Sequence, residues 1–162
     1  MKILISGEIG SGKSTLLHQL CSSYRNNNPC KIYGFRSEKI VVDPSRPDIG
    51  KVYLHPYEGP YVYEERNCIA ELKGSQRNLP HLEVFESYGC ELLANIPPKS
   101  LILMDEIGFL ERDARLFSLR ILQLFHENHD ILAVIKPINT PLLNELRALP
   151  EIQIYQLPIN ST

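Results

Sequence analysis

The chain has 162 residues, of which 43% are hydrophobic and 22% are charged, and its net charge is −2 at pH 7. This length is enough for one domain with a buried core and short for two, and the small net charge argues against nucleic acid or an anionic membrane as a partner. Four widely spaced cysteines without a Cys-x-x-Cys pair argue against a zinc site and are typical of reduced thiols. The apolar runs are too short for a membrane span or a signal peptide, so we expect a cytoplasmic protein.

Four short apolar segments predict strands, at residues 2–6, 100–104, 131–135 and 152–157. The first three are almost continuously hydrophobic, as expected of strands buried on both faces of a parallel sheet. Their order along the chain, with helical patterns between them, predicts an α/β protein whose mostly parallel sheet is covered by helices on both sides.

Helical periodicity fills the intervals between these strands. It follows a glycine-rich loop directly, at residues 16–24, and is strongest over residues 112–128, where apolar side chains recur on one face. Residues 141–149 start with a proline and stop before one, as a short helix does. A helix over residues 83–95 is a weaker prediction because Gly89 lies inside it.

The segment of residues 30–80 breaks this alternation. It contains five of the eight tyrosines and several prolines, which favour short extended pieces and turns over helices. We expect hairpins that lie over one end of the sheet, as an insert or lid within a single domain of residues 1–162.

The glycine-rich loop has the sequence "GEIGSGKST" and matches the phosphate-binding pattern G-x-x-x-x-G-K-[ST] in full. Its backbone N–H groups and the N-terminus of the next helix would surround the phosphates of a nucleotide, Lys13 would contact the β- and γ-phosphates, and Ser14 would coordinate Mg²⁺. A strand before the loop and a helix after it give the pattern its required context. The predicted nucleotide-binding residues are Gly7, Glu8, Ile9, Gly10, Ser11, Gly12, Lys13, Ser14 and Thr15.

A pair of acids follows the apolar run "LILM". Asp105, at the end of that predicted strand, would hold Mg²⁺, and Glu106 would act as a general base that activates water. The alternative is that the two acids only mark the solvated end of a strand, which the phosphate-binding loop upstream makes less attractive.

Three segments together resemble a known family, the small P-loop nucleoside-triphosphatases, which includes the cancer-related nucleoside-triphosphatase. They are "GEIGSGKST", "YGFRSE" and above all "LMDEIGFLE". The resemblance implies a three-layer, RecA-like P-loop fold and Mg²⁺-dependent hydrolysis of nucleoside triphosphates with a broad base preference. It also implies nucleotide contacts from the acidic strand, at Leu101, Ile102, Leu103, Met104, Asp105, Glu106, Ile107 and Gly108.

The chain departs from the family at an arginine. The family usually carries one after the acidic residues that follow "GF", whereas this chain has Lys39 and Val41 there. An arginine that stabilises transition-state charge is therefore sought among Arg36, Arg66, Arg77, Arg112 and Arg115, with Arg112 as the first choice. Lys136 at a strand end is a candidate contact for the γ-phosphate, and Glu111 a candidate supporting acid.

Two other functions share these motifs. A nucleotide or small-molecule kinase would need a second pocket for its acceptor, for which the segment of residues 30–80 has room. A nucleotide-dependent binding switch would turn over slowly and present that segment to a partner. Glu106 beside the metal-binding acid favours hydrolysis over both.

Overall fold

The computed structural model describes residues 1–158; residues 159–162, the end of the predicted domain, lie outside the described part. Its strands are β1 (Lys2–Ser6), β2 (Ile32–Ile40), β3 (Ile49–Pro56), β4 (Cys68–Lys73), β5 (Leu79–Pro80), β6 (Leu101–Ile107), β7 (Asp130–Ile135) and β8 (Gln153–Gln156). Its helices are α1 (Lys13–Asn27), α2 (Leu82–Val84), α3 (Cys90–Leu92), α4 (Arg115–His126) and α5 (Pro141–Arg147). A π-helical turn, Phe85–Gly89, joins α2 to α3, and a 3₁₀ turn, Glu65–Asn67, precedes β4.

All eight strands form one sheet in the order β5-β4-β3-β2-β6-β7-β1-β8. Five neighbouring strands of this sheet pair in parallel, namely β2, β6, β7, β1 and β8. The remaining strands, β3, β4 and β5, pair antiparallel with their neighbours. β7 lies between the strand that precedes the glycine-rich loop and the strand that carries the acidic pair. The predicted α/β fold with a mostly parallel sheet is confirmed.

The sheet separates two cores. On one face α1 packs through Leu17 and Cys21 against apolar side chains of β1, β6 and β7. On the other face lie α4, α5 and the helical residues 82–92, with the ring of Phe117 packed at a tilt against those of Phe35 and Phe85. Burial on both faces explains why the central strands show continuous rather than alternating hydrophobicity.

Residues 30–80 lie within the sheet and at its edge, whereas the sequence predicted hairpins over one end of the sheet. β2 pairs in parallel with β6, so the first part of this segment belongs to the central sheet. β3, β4 and β5 follow as an antiparallel extension of the same sheet and do not cover its end. Charged residues in the second half of β2 and a glycine within it obscured a strand whose buried residues include Ile32 and Phe35.

Element boundaries also shift near the acidic pair. β6 extends to Ile107, so Asp105 and Glu106 lie within the strand, where β2 and β7 both continue to pair with it. Helix α4 begins at Arg115, three residues later than predicted, because residues 109–114 form turns that end at Ala114. Thr140 caps α5 by accepting a hydrogen bond from the Leu143 N–H at 3.2 Å.

Candidate active site

The glycine-rich loop joins β1 to α1 in the geometry that its sequence predicts. Gly12 has a φ of 93°, in the left-handed region, and α1 begins at the next residue without a side-chain cap. Within the described residues the first N–H groups of α1 therefore remain free to donate to an anion, where the helix dipole also favours negative charge. Glu8 and Ile9 at the tip of the loop are exposed.

Ser14 and Asp105 bring the loop and β6 together. The Ser14 hydroxyl donates to Asp105 Oδ2 at 3.0 Å. Burial raises the pKa of Asp105, against the hydrogen bond from Ser14 and the positive charges of Arg36 and Lys13, which lower it. A hydroxyl and a carboxylate oxygen side by side are hard donors, the kind that Mg²⁺ prefers. Among residues 1–158 no group of three His, Cys, Asp or Glu side chains could hold a metal ion.

Glu106 lies between two lysines. Its Oε2 is 3.6 Å from Nζ of Lys13, and its Oε1 is 3.8 Å from Nζ of Lys136. Lys13 also donates to the carbonyl oxygen of Gly7 at 2.6 Å. The two lysines come from the start of α1 and the end of β7, so the carboxylate is fixed at the point where the loop and two strand ends meet.

A small cavity opens beside this carboxylate. It has a volume of about 30 Å³ and its polar lining comes from Glu106, Lys136, Glu111 and Ser37, with Phe35 and Phe117 among the apolar residues. This volume admits a water molecule, and the lining offers it both donors and acceptors. The cavity therefore places room for water against the predicted general base.

Glu111 is buried below this cavity, with 5% of its surface exposed. Its Oε1 accepts a hydrogen bond from the Gly108 N–H. Burial raises the pKa of Glu111 from 4.5 to about 7, although this hydrogen bond and the charge of Lys136 lower it. Glu111 thus holds the turn after β6 in place, which agrees better with a supporting role than with direct contact to phosphate.

Arg36 is the arginine that the fold brings next to the acidic pair. It is the register partner of Asp105 across β2 and β6, so both side chains leave the same face of the sheet. Its guanidinium group lies over the rings of Tyr57 and Tyr61, at 5.4 and 5.8 Å. Arg112, the first choice from sequence, lies instead in the turn before α4, over the ring of Phe109. Two tyrosines of residues 30–80 thus pack against an arginine beside the site.

Part of the predicted nucleotide-binding set is closed to a ligand. Leu101, Ile102, Leu103, Met104 and Ile107 each have at most 1% of their surface exposed because they form the centre of the two cores. Their side chains are closed to a ligand, and Gly108 is buried as well, whereas Asp105 and Glu106 are partly exposed.

Comparisons with known proteins agree with this geometry. A protein-family model described as NTPase matches residues 2–161. The chain belongs to this NTPase family. The match extends from the first residues of β1 past the end of β8, so it includes both the glycine-rich loop and the acidic strand.

Individual relatives of this NTPase are similar over nearly its whole length. It is 28% identical over 157 residues to nucleoside-triphosphatase THEP1 of Thermotoga sp. (strain RQ2), which covers 97% of this chain and 86% of the relative. Nucleoside-triphosphatase THEP1 of Thermotoga maritima is 27% identical with the same coverage. The crystal structure of THEP1 from the hyperthermophile Aquifex aeolicus superposes with a TM-score of 0.71 at 23% identity, over 97% of this chain and 90% of that one, which supports the fold.

Within residues 1–158 of this NTPase, no helix combines the length and apolar character needed to cross a lipid bilayer.

Proposed function

We propose that this protein hydrolyses nucleoside triphosphates to the diphosphate and phosphate, with Mg²⁺ and with a broad preference for the base. The observation that carries this proposal is the position of Glu106, a carboxylate held between Lys13 and Lys136 beside a cavity large enough for water. The names of the Thermotoga relatives, nucleoside-triphosphatase, support the same reaction.

The phosphates bind at the glycine-rich loop and the start of α1. The N–H groups of the loop and helix donate to phosphate oxygens, and Lys13 exchanges its contacts with Gly7 and Glu106 for the β- and γ-phosphates. Lys136, at the end of β7, pairs with the other oxygen of Glu106 and contacts the γ-phosphate.

Ser14 and Asp105 fit Mg²⁺, because they place a hydroxyl and a carboxylate oxygen 3.0 Å apart at the mouth of the loop. Mg²⁺ held by these two residues would neutralise negative charge on the phosphates. The raised pKa of Asp105 supports this use, because a buried carboxylate that is costly to ionise gains most from a cation beside it.

Glu106 performs the proton transfer. A water molecule in the adjacent cavity attacks the γ-phosphorus, its proton passes to a Glu106 oxygen, and the bond between the γ-phosphorus and the bridging oxygen breaks. The bridging oxygen leaves with the diphosphate, and the proton on Glu106 passes to solvent. Lys136, which stays paired with Glu106 after Lys13 has turned to the phosphates, fixes the orientation of the carboxylate toward the attacking water.

The broad base preference follows from which parts of the substrate the site contacts. The loop backbone, Lys13, Ser14, Asp105 and Glu106 are all directed at phosphates, a metal ion or water. These parts are common to every nucleoside triphosphate, so the contacts that give most of the binding energy do not distinguish the bases.

Phosphate release from ATP, GTP, CTP and UTP, with Mg²⁺ and with EDTA, tests this proposal. We expect release from all four, with kcat/KM values within about tenfold of one another, and loss of activity in EDTA. A single active nucleotide would contradict the broad base preference, and full activity in EDTA would contradict the role of Mg²⁺.

A further inference from the structure

Arg36 lies next to the proposed metal-binding residues but has no role in the reaction described above. It lies on β2, directly opposite Asp105 on β6, and its side chain leaves the sheet on the face where Ser14 bonds to Asp105. Neighbouring strands are about 4.8 Å apart, so an arginine side chain on β2 easily spans the distance to a group held at the end of β6. Arg36 therefore borders the expected position of the γ-phosphate.

Within residues 1–158 the guanidinium group of Arg36 makes no hydrogen bond and no ion pair, although its charge acts to lower the pKa of Asp105. Its contacts are the faces of Tyr57 and Tyr61. An arginine carries five N–H donors in a rigid fork that fits phosphate oxygens. By contrast Arg66, which also lies over a tyrosine ring, is paired with Glu64 at 2.8 Å. Arg36 is thus positioned by aromatic rings while its donors remain available.

The aromatic support of Arg36 is itself fixed. The buried ring of His55 stacks on Tyr61 at 4.1 Å and meets Tyr63 edge to face. Tyr63 in turn donates to Glu38 at 2.7 Å. Among residues 1–158 neither ring nitrogen of His55 has a hydrogen-bond partner, and burial lowers its pKa, which favours the neutral ring beside the guanidinium. The cluster therefore restricts the movement of the guanidinium group and leaves its positive charge in place.

We propose that Arg36 contacts the γ-phosphoryl group and stabilises the negative charge that develops on its oxygens in the transition state. This inference rests on the proposed function. The charge on the transferred group spreads over three equatorial oxygens as the bond to the bridging oxygen breaks, and a bidentate guanidinium matches that arrangement. The same chain thus supplies the arginine that many nucleoside-triphosphatases take from a partner protein.

The test compares two ligands that differ in charge distribution at the γ-position. ADP with Mg²⁺ and aluminium fluoride mimics the transition state, and a non-hydrolysable triphosphate with Mg²⁺ mimics the ground state. We expect Arg36→Gln to weaken binding of the first by about 30-fold or more, to change binding of the second by less than threefold, and to lower kcat by about 10²-fold or more. Free guanidinium ion should restore part of the activity of an Arg36→Ala variant.

Arg66→Gln is the matched control, because it removes another arginine that lies over a tyrosine ring. It should bind both ligands as the wild type does. Equal weakening of both ligands by Arg36→Gln, or no weakening of either, would overturn the assignment to the transition state while leaving hydrolysis intact. A wild-type protein that binds neither ligand would instead overturn the proposed function, and the assignment with it. A melting temperature close to that of the wild type shows that each variant is folded.

Discussion

The carboxylate of Glu106 and the ammonium group of Lys13 lie 3.6 Å apart, the first on β6 and the second at the start of α1. The proposed general base and the proposed phosphate ligand are therefore in contact. A triphosphate carries far more negative charge than one carboxylate and competes for Lys13, which leaves Glu106 paired with Lys136 alone. Substrate binding and release of the base for proton transfer are thus coupled through one lysine.

Removing the ammonium group of Lys13 should weaken nucleotide binding. Lys13→Ala deletes the side chain that reaches the β- and γ-phosphates, and we expect the Kd for a Mg²⁺-triphosphate to rise by about 10²-fold. Calorimetric titration measures this change. Lys31→Ala, which removes a lysine over the ring of Tyr33, is the control and should bind normally. Binding by Lys13→Ala within a factor of two of the wild type would place the phosphates elsewhere.

Glu106 should serve the chemical step rather than binding. Glu106→Gln keeps the size of the side chain and an oxygen toward the lysines but cannot accept the proton from water. We expect kcat to fall by about 10²-fold or more while the Kd for the triphosphate stays within a few-fold of the wild type. Steady-state kinetics together with calorimetry separate the two quantities. A variant that turns over normally would move the base to another residue, with Glu111 as the next candidate.

Glu111 should make the stability of the fold depend on pH. Its pKa is about 7 in the folded protein and near 4.5 in the unfolded chain, so between these values the folded state binds more protons. The contribution of Glu111 to the free energy of unfolding is therefore greatest below about pH 4.5 and falls as the pH rises to about 7. The difference in pKa corresponds to roughly 3 kcal/mol, lost by the wild type across this range.

Denaturant unfolding of Glu111→Gln at several pH values tests this expectation. The variant keeps an oxygen that can accept from the Gly108 N–H but does not ionise, so its stability relative to the wild type should increase from pH 4.5 to 7 and then level off. Glu151→Gln, at an exposed position, is the control and should show no such increase. A constant difference between Glu111→Gln and the wild type would show that Glu111 does not titrate in this range.

Gly34 should tolerate no side chain. Its φ is 109°, in the left-handed region, and a Cβ atom would overlap the carbonyl group of Leu103 on the neighbouring strand. We expect Gly34→Ala to destabilise the fold by about 4 kcal/mol, a fall of roughly 10 °C in melting temperature. Gly74 also has a left-handed backbone, but the nearest atoms to a Cβ there belong to the side chains of Arg46, Asp48 and Ile49. Gly74→Ala should therefore lower the free energy of unfolding by only about 1 kcal/mol. Similar melting temperatures for the two variants would contradict this reasoning.

The sequence predicted the parts of the site that are local in the chain. The loop before α1 and the acids of β6 are recognisable because each is a short run whose spacing meets one physical demand. Ser14 and Asp105 were each predicted to hold Mg²⁺, and in the structure the Ser14 hydroxyl donates a hydrogen bond to Asp105.

The position of Arg36 next to the acidic pair could not be predicted from a short sequence pattern. It depends on β2 pairing with β6, whose residues lie far apart in the sequence, and β2 itself was hidden by charged residues and by Gly34. Arg112 is close to the acidic pair along the chain, which made it the first choice, but turns before α4 place it over Phe109. Pairing between distant strands is determined by the whole sheet and not by local pattern.

The measurement that tests the central claim most directly is phosphate release in ¹⁸O-labelled water, from purified protein with a Mg²⁺-triphosphate and no other acceptor. If Glu106 activates water, the released phosphate carries one ¹⁸O atom, and its rate of release falls to the Lys13→Ala background in Glu106→Gln. Release by the wild type no faster than that background, with the diphosphate and a phosphorylated acceptor formed only when a nucleoside or a small alcohol is added, would show that the acceptor is not water and would contradict the account.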